Sequence, residues 1–199
     1  MFNQGKTVIV FGGAFDPFHL GHLTVVKNLL VKQLADEVWL VPAGQHPFEK
    51  RVANDHHRLK MIELGLNSLD PQLRTKVNLD ETELNKKGVG FTFDTLNFFQ
   101  AQHPNWTFKF VIGSDNLDSF RKWGNYQELI KTYQFLVYPR AGYDFQPWYQ
   151  EMQALNNFPQ IETSSTQIKR LLKNHQSIAM LVDEKVALYI NSHHLYQDK

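Results

Sequence analysis

The chain has 199 residues, 42% of them hydrophobic and 13% aromatic, the composition of a folded domain large enough to bury a substantial core. With 21 Lys and Arg against 20 Asp and Glu, the formal net charge of +1 excludes a global field for nucleic acid or acidic membrane, so anion binding has to be local. The absence of cysteine excludes disulfides, thiolate nucleophiles and cysteine-ligated zinc, and with no apolar leader or membrane-length run the expected location is cytoplasmic.

Thr7-Val8-Ile9-Val10-Phe11 is an apolar, β-branched run that predicts a buried strand. The turn from Gly12 and Gly13 through Phe15 and Asp16 follows it and leads into a helix expected over residues 21–34, where Leu23, Val26, Leu30 and Leu34 mark one face. Strand, glycine turn and helix start in that order form a phosphate site, because the helix start offers free N–H groups and the positive end of a dipole. His19 and His22 stand three residues apart at that point. Val38 to Val41 predicts a second strand stopped by Pro42-Ala43-Gly44, and the polar stretch 45–54 a loop at its carboxyl end.

Leu59, Ile62, Leu66 and Leu69 predict a helix ending before Asp70-Pro71, and a short strand is expected at 77–79. Residues 81–90 read as a loop, and Phe93, Leu96 and Phe99 as another helical stripe. Phe108 to Ile112 predicts a strand that runs into Gly113-Ser114-Asp115. A turn around Trp123, a short helix at 126–131 and a strand at 135–138 follow, with Arg140 just beyond, while 143–158 carries no clear period. Ser164 and Gln167 have the spacing of a capping box, and Asp183 is placed to cap a last helix with Val186, Tyr189 and Ile190 on one face. Alternating strands and helices predict an α/β fold, a Rossmann-like, doubly wound and mainly parallel sheet with helices on both faces. The expectation is one domain over 1–199, its C-terminal helical part at roughly 164–199.

The ordinary dinucleotide fingerprint is absent, since no Gly-x-Gly-x-x-Gly or acidic second-strand end occurs, and no Gly-x-x-x-x-Gly-Lys-Ser/Thr marks a P-loop, the tripeptide Gly5-Lys6-Thr7 standing before the first strand instead of after it. His19 and His22 also have metal-ligand spacing, with His46, His56 or His57 as a third ligand, but no paired carboxylate at helical distance accompanies them. Otherwise His46, His56, His57, His193 and His194 read as solvated.

The run His19-Leu20-Gly21-His22 carries the H-x-G-H signature of the nucleotidyltransferase superfamily, and Ser164-Ser165-Thr166-Gln167-Ile168-Lys169 resembles its second signature, I-S-S-T-x-I-R. With Phe93-Asp94-Thr95-Leu96, Ile112-Gly113-Ser114-Asp115, Trp123, Tyr189-Ile190 and Leu195-Tyr196 in order, nearly the whole chain resembles the bacterial nicotinate-nucleotide adenylyltransferases. It departs from them at Lys169, usually Arg, at Glu162-Thr163, usually apolar before the serines, and at 45–50, where the family has Pro-Pro-His-Lys.

The resemblance implies transfer of AMP from ATP to nicotinate mononucleotide, with Mg2+ accompanying ATP. In it His19 and His22 are catalytic, in the charged form once polyphosphate binds, and Gly12, Gly13, Phe15, His19, His22, Gly113, Asp115, Ser165, Thr166 and Lys169 hold ATP. Asp16, Lys50, Thr92, Trp123 and Arg140 hold the mononucleotide, and no residue holds a resident metal. Nucleic acid and membrane are not expected partners, and a homo-oligomer is compatible with the sequence. Within the superfamily, nicotinamide mononucleotide, pantetheine phosphate or a cytidylyl reaction are alternatives, and a non-catalytic nucleotide-binding module is another. Residue by residue, Trp123 also reads as a core aromatic, Thr92 and Asp115 as helix caps, Lys169 as a surface lysine and Arg140 as part of a surface turn.

Overall fold

A computed structural model describes residues 5–44, 53–85, 91–146 and 149–197. Its elements are β1 (Thr7–Gly13), α1 (Leu20–Val31), β2 (Glu37–Pro42), α2 (Asp55–Leu66), α3 (Pro71–Arg74), β3 (Val77–Leu79), α4 (Thr82–Asn85) and α5 (Thr92–Gln102). These are followed by β4 (Thr107–Gly113), a 3-10 helix (Ser114–Lys122), α6 (Tyr126–Thr132), β5 (Gln134–Tyr138), β6 (Met152–Ala154), α7 (Ser165–Lys173) and α8 (Glu184–Ser192).

The strands form one parallel sheet in the order β3-β2-β1-β4-β5-β6, the doubly wound arrangement expected from the sequence. Its strands are near-continuous apolar runs because helices cover both faces. Ile9, Phe11, Leu40, Val111 and Leu136 point to one face and pack with Val26 and Leu29 of α1, Ile62 of α2, Ile168 and Leu172 of α7 and Val186 and Ile190 of α8. Val8, Val10, Val41, Phe110, Ile112 and Val137 point to the other and pack with Leu96 and Phe99 of α5, Phe120 and Leu129. Strand order reverses between β1 and β4, and a crevice opens there at the carboxyl ends of the strands, where ligands of such sheets bind.

Three local expectations are revised. The expected helix at 21–34 ends at Val31, where Gln33 with φ 54° turns the chain, yet Leu34 still packs on the core. The stretch read as a loop at 81–90 begins with α4, whose first turn is held by Thr82 N–H donating to Asp80 Oδ1 at 2.9 Å, and residues 86–90 lie outside the described residues. In the stretch without a clear period, Met152–Ala154 adds β6 at the sheet edge, paired along β5. Three residues are too short for periodicity to announce a strand.

Candidate functional site

A cavity of about 590 Å³ lies at the β1/β4 reversal, within the usual range for a small-ligand site. Gly12 and Gly13 end β1 on its wall, and Gly113 ends β4 beside them. A Cβ on Gly113 would fall 2.2 Å from Asp115 Oδ1 and 2.9 Å from Arg140 Cγ, so only glycine lets these two side chains meet over the strand end. Arg140 Nε stands 3.5 Å from Asp115 Oδ2, while its Nη1 donates to the Thr163 carbonyl at 2.7 Å. Its backbone N–H donates to Ser114 Oγ at 3.0 Å.

The two histidines line the same cavity, within reach of the Arg140 charge. His19 is the N-cap of α1 and only 3% exposed. Its Nδ1 accepts from the His22 backbone N–H at 3.4 Å, and His22 Nδ1 accepts from the His19 backbone N–H at 3.2 Å. This reciprocal cap stacks the rings with centroids 3.6 Å apart. With both Nδ1 atoms accepting, the hydrogen-bond network assigns the proton of each ring to Nε2, and each ring is neutral. Burial, followed by the Arg140 charge, lowers His19 to about 3, and burial with His19 and Arg140 holds His22 well below the ordinary value. The charged pair expected with polyphosphate is therefore not the state of the unliganded site. Gly21 is fixed here too, since a Cβ would fall 2.9 Å from the His19 ring.

The third wall is the start of α7. Ser164 caps it, its Oγ accepting from Gln167 N–H at 3.1 Å, and Ser164, Ser165 and Thr166 all line the cavity. Ser165 Oγ donates to the Pro17 carbonyl at 3.1 Å, which ties α7 to the histidine loop. Two helix starts thus converge on one space and can receive one polyphosphate.

Phe15, Thr92 and Trp123 also line the cavity. Thr92 is the first residue of α5 and does not cap it; the cap position is Phe91. Trp123 serves core and cavity together, its ring 5.9 Å from Phe110 and 5.3 Å from Phe120. Asp115 lies inside the 3-10 helix, whose N-cap is Gly113.

Asp16 and Lys169 are brought together behind the histidine loop and are not on the cavity wall. Asp16 is 2% exposed and accepts from Lys169 Nζ, from the Tyr196 hydroxyl at 2.5 Å and from Ala53 N–H at 3.1 Å. Asp16 and Lys169, expected on opposite substrates, form a single latch between the loop, α7 and the C-terminal turn. Lys50 lies outside the described residues.

Sequence reasoning did not single out Arg58, Phe91, Lys122 or Glu83. Arg58 is fully buried, donating to the Ala14 carbonyl at 2.9 Å and to Asp55 Oδ1 at 2.6 Å, and so it braces the loop from α2. Its signal was its place four residues before Ile62, on the apolar stripe of α2. Phe91, Lys122 and Glu83 line the cavity. His57, read as solvated, is half-buried and hydrogen-bonded through Nδ1 to the Tyr189 hydroxyl at 2.9 Å. Among the described residues, no group of three or more His, Cys, Asp or Glu side chains could hold a metal ion, and His46 lies outside them.

Comparison with known proteins agrees with this geometry. The cytidylyltransferase-like family matches residues 10–171. A probable nicotinate-nucleotide adenylyltransferase of Oceanobacillus iheyensis is 32% identical over 192 residues, covering 96% of this chain and 97% of that protein. The nicotinate-nucleotide adenylyltransferase of Bacillus subtilis is 30% identical over 194 residues, 96% and 99% of the two chains. The structure of Plasmodium falciparum nicotinic acid mononucleotide adenylyltransferase complexed with NaAD superposes with a TM-score of 0.85 over 96% of this chain and 97% of that one. At 23% identity that likeness is one of fold.

Proposed function

The chain belongs to the cytidylyltransferase-like family and, within it, to the nicotinate-nucleotide adenylyltransferases, and from that premise we propose that it transfers AMP from ATP to nicotinate mononucleotide. The products are nicotinate adenine dinucleotide and pyrophosphate, a step toward NAD. The observation that carries this reading is the convergence of the neutral His19–His22 pair and the α7 start on one cavity at the strand reversal.

A phosphate oxygen of the mononucleotide, ionised at neutral pH, attacks the α-phosphorus of ATP, and the bond to the bridging α–β oxygen breaks with pyrophosphate leaving. No general base is needed, so rate comes from holding two anions in line and stabilising the charge that develops. His19 and His22 meet that charge with Nε2–H donors set in place by the reciprocal cap, and Arg140 adds a fixed positive charge beside them. The N–H groups at the start of α7, with Ser165 and Thr166, hold the β- and γ-phosphates. Gly113 and Asp115 receive the adenosine, and Thr92 and Trp123 the pyridine end.

Mg2+ enters as part of the MgATP substrate, coordinated by phosphate oxygens and water. Among the described residues no helix is long and apolar enough to cross a membrane. The cytoplasm, which supplies ATP, is the compartment this reaction calls for.

Purified protein is expected to release pyrophosphate from MgATP only when nicotinate mononucleotide is present. Release without the mononucleotide, or none with it, overturns the reading.

A further inference from the structure

Leu195-Tyr196 closes the pattern read from the sequence, yet the reaction above gives the pair no role. Tyr196 is brought toward the histidine loop by a turn that follows α8. In it Leu195 N–H donates to the Ile190 carbonyl at 3.0 Å, and His194 and Tyr196 hold φ 50° and 62°. α8 is itself fastened to α2, where the Tyr189 hydroxyl meets His57 Nδ1 at 2.9 Å. The Tyr196 hydroxyl thereby reaches Asp16 Oδ1, 180 positions away in the chain, at 2.5 Å. Burial and the Asp16 charge push this phenol well above its ordinary pKa, so the hydroxyl keeps its proton and donates.

What the hydroxyl steadies is a loop under strain. Phe15, just before Asp16, holds φ 48°, a left-handed conformation that a residue with a bulky side chain keeps only where its surroundings fix it. The fixing contacts lie along the loop: Arg58 donates to the Ala14 carbonyl, Ser165 to the Pro17 carbonyl, and Asp16 between them gathers Tyr196, Lys169 and the Ala53 N–H. The loop's aromatic rings in turn bound His22. Phe15 stands edge-on to its ring with centroids 5.0 Å apart, and Phe18 stacks on it at 5.3 Å. A shift at Asp16 is therefore passed to the imidazole through Phe15 and Phe18.

We propose that Tyr196 is a positioning residue for adenylyl transfer, its hydroxyl holding Asp16 so that Phe15 and Phe18 keep the His22 ring in place beside the reacting phosphate. This rests on the adenylyltransferase reading and extends the support of the site to the C-terminal turn. Lys169, on the other carboxylate oxygen, does not replace the hydroxyl: its side chain is 36% exposed and its ammonium is a point charge on a flexible stem, whereas the phenol is carried on a rigid ring. An in-line displacement depends on fixed geometry, and a small displacement of a donor costs rate without costing affinity.

The full chain is assayed for pyrophosphate release with MgATP and nicotinate mononucleotide, at a temperature where every variant is folded. Tyr196→Phe removes the hydroxyl and keeps the ring under the Lys169 ammonium, whose Nζ lies 5.4 Å from its centroid. It is expected to lower kcat about tenfold or more, with the KM values for ATP and mononucleotide changed less than about twofold, and to shift the ring-nitrogen NMR signals of His22. Tyr133→Phe is the matched control, deleting a phenol that donates to Asn97 Oδ1 at 2.8 Å on the other face of the sheet. It is expected to lower the unfolding temperature and to leave kcat and the His22 signals unchanged. Unchanged kcat or unmoved His22 signals in Tyr196→Phe, a loss carried by KM, or an equal loss of kcat in Tyr133→Phe overturns the proposal while the adenylyltransferase reading stands. No turnover of the mononucleotide by the unaltered protein overturns both.

Discussion

The two ends of the cavity are built on opposite plans. At the phosphate end the polar groups are buried and already partnered: each histidine Nδ1 accepts a backbone N–H, Arg140 holds Asp115 and Thr163, and Asp16 takes three donors behind the loop. At the acceptor end, Phe91 and Lys122 are exposed and Trp123 half-buried, set on the start of α5 and the end of a 3-10 helix. Pre-set dipoles that need no reorganisation stabilise developing charge, while exposed side chains that become covered contribute binding and selectivity. Chemistry should thus be sensitive to one end and acceptor KM to the other.

The hardest test of that division is His22→Ala. Losing one pre-set donor at the reacting phosphorus is expected to lower kcat by at least about a hundredfold, roughly 3 kcal/mol, with little change in acceptor KM. A loss carried mainly by acceptor KM would dissolve the distinction between the ends. Asp16→Ala probes the support of the same end from behind. It strands the Tyr196 hydroxyl and the Lys169 ammonium and is expected to cost roughly 2 to 3 kcal/mol in urea unfolding. It should also lower kcat with acceptor KM unchanged, because Lys169 and Tyr196 hold the histidine loop only through that carboxylate.

Acid acts on the phosphate end through its two histidines. His19 has a folded pKa of about 3 against 6.5 in the unfolded chain, so the unfolded state binds its proton first as pH falls. The stability contributed by the neutral ring is complete above about pH 6.5 and is lost progressively down to about pH 3. At pH 5 the loss from His19 is on the order of 2 kcal/mol, and His22, lowered in the same direction, adds to it. Protonation at Nδ1 would also remove the acceptor that caps α1. The ring signals of both histidines in NMR should keep the neutral, Nε2-protonated form between pH 8 and 5, and titration near 6.5 would contradict the reciprocal cap.

How much of this was legible in the sequence follows the same division. β1, β2, β4 and β5 are apolar runs whose burial on both sides left no alternative to a parallel sheet, and the caps at Ser164 and Asp183 could be read from side-chain chemistry one turn away. The phosphate end is made from such local signals. Arg140 could be read from its position after a strand, but not its grip on Thr163, which requires two segments 23 residues apart to meet. The Asp16–Lys169–Tyr196 latch joins residues 153 and 180 positions apart, and spacing carries no information at that range. At the acceptor end, Phe91 carries no local signal, because its place depends on the missing side chain of Gly124.

The smallest effect expected is at Trp123, where the two roles of one side chain can be separated. Its ring meets Phe110 edge to face and lies tilted against Phe120, so removing it weakens the core as well as the acceptor wall. Trp123→Phe keeps an aromatic face and most of that packing. Losing part of one stacking surface is worth about 1 kcal/mol, which predicts a severalfold rise in acceptor KM, alike for acid and amide, at constant kcat. The KM for ATP should not move, since the ATP phosphates are assigned to the histidine pair and the α7 start and the indole to the acceptor. An equal rise in both KM values would mean that the two ends move together, and the cavity would then have to be described as one site that tightens around both substrates.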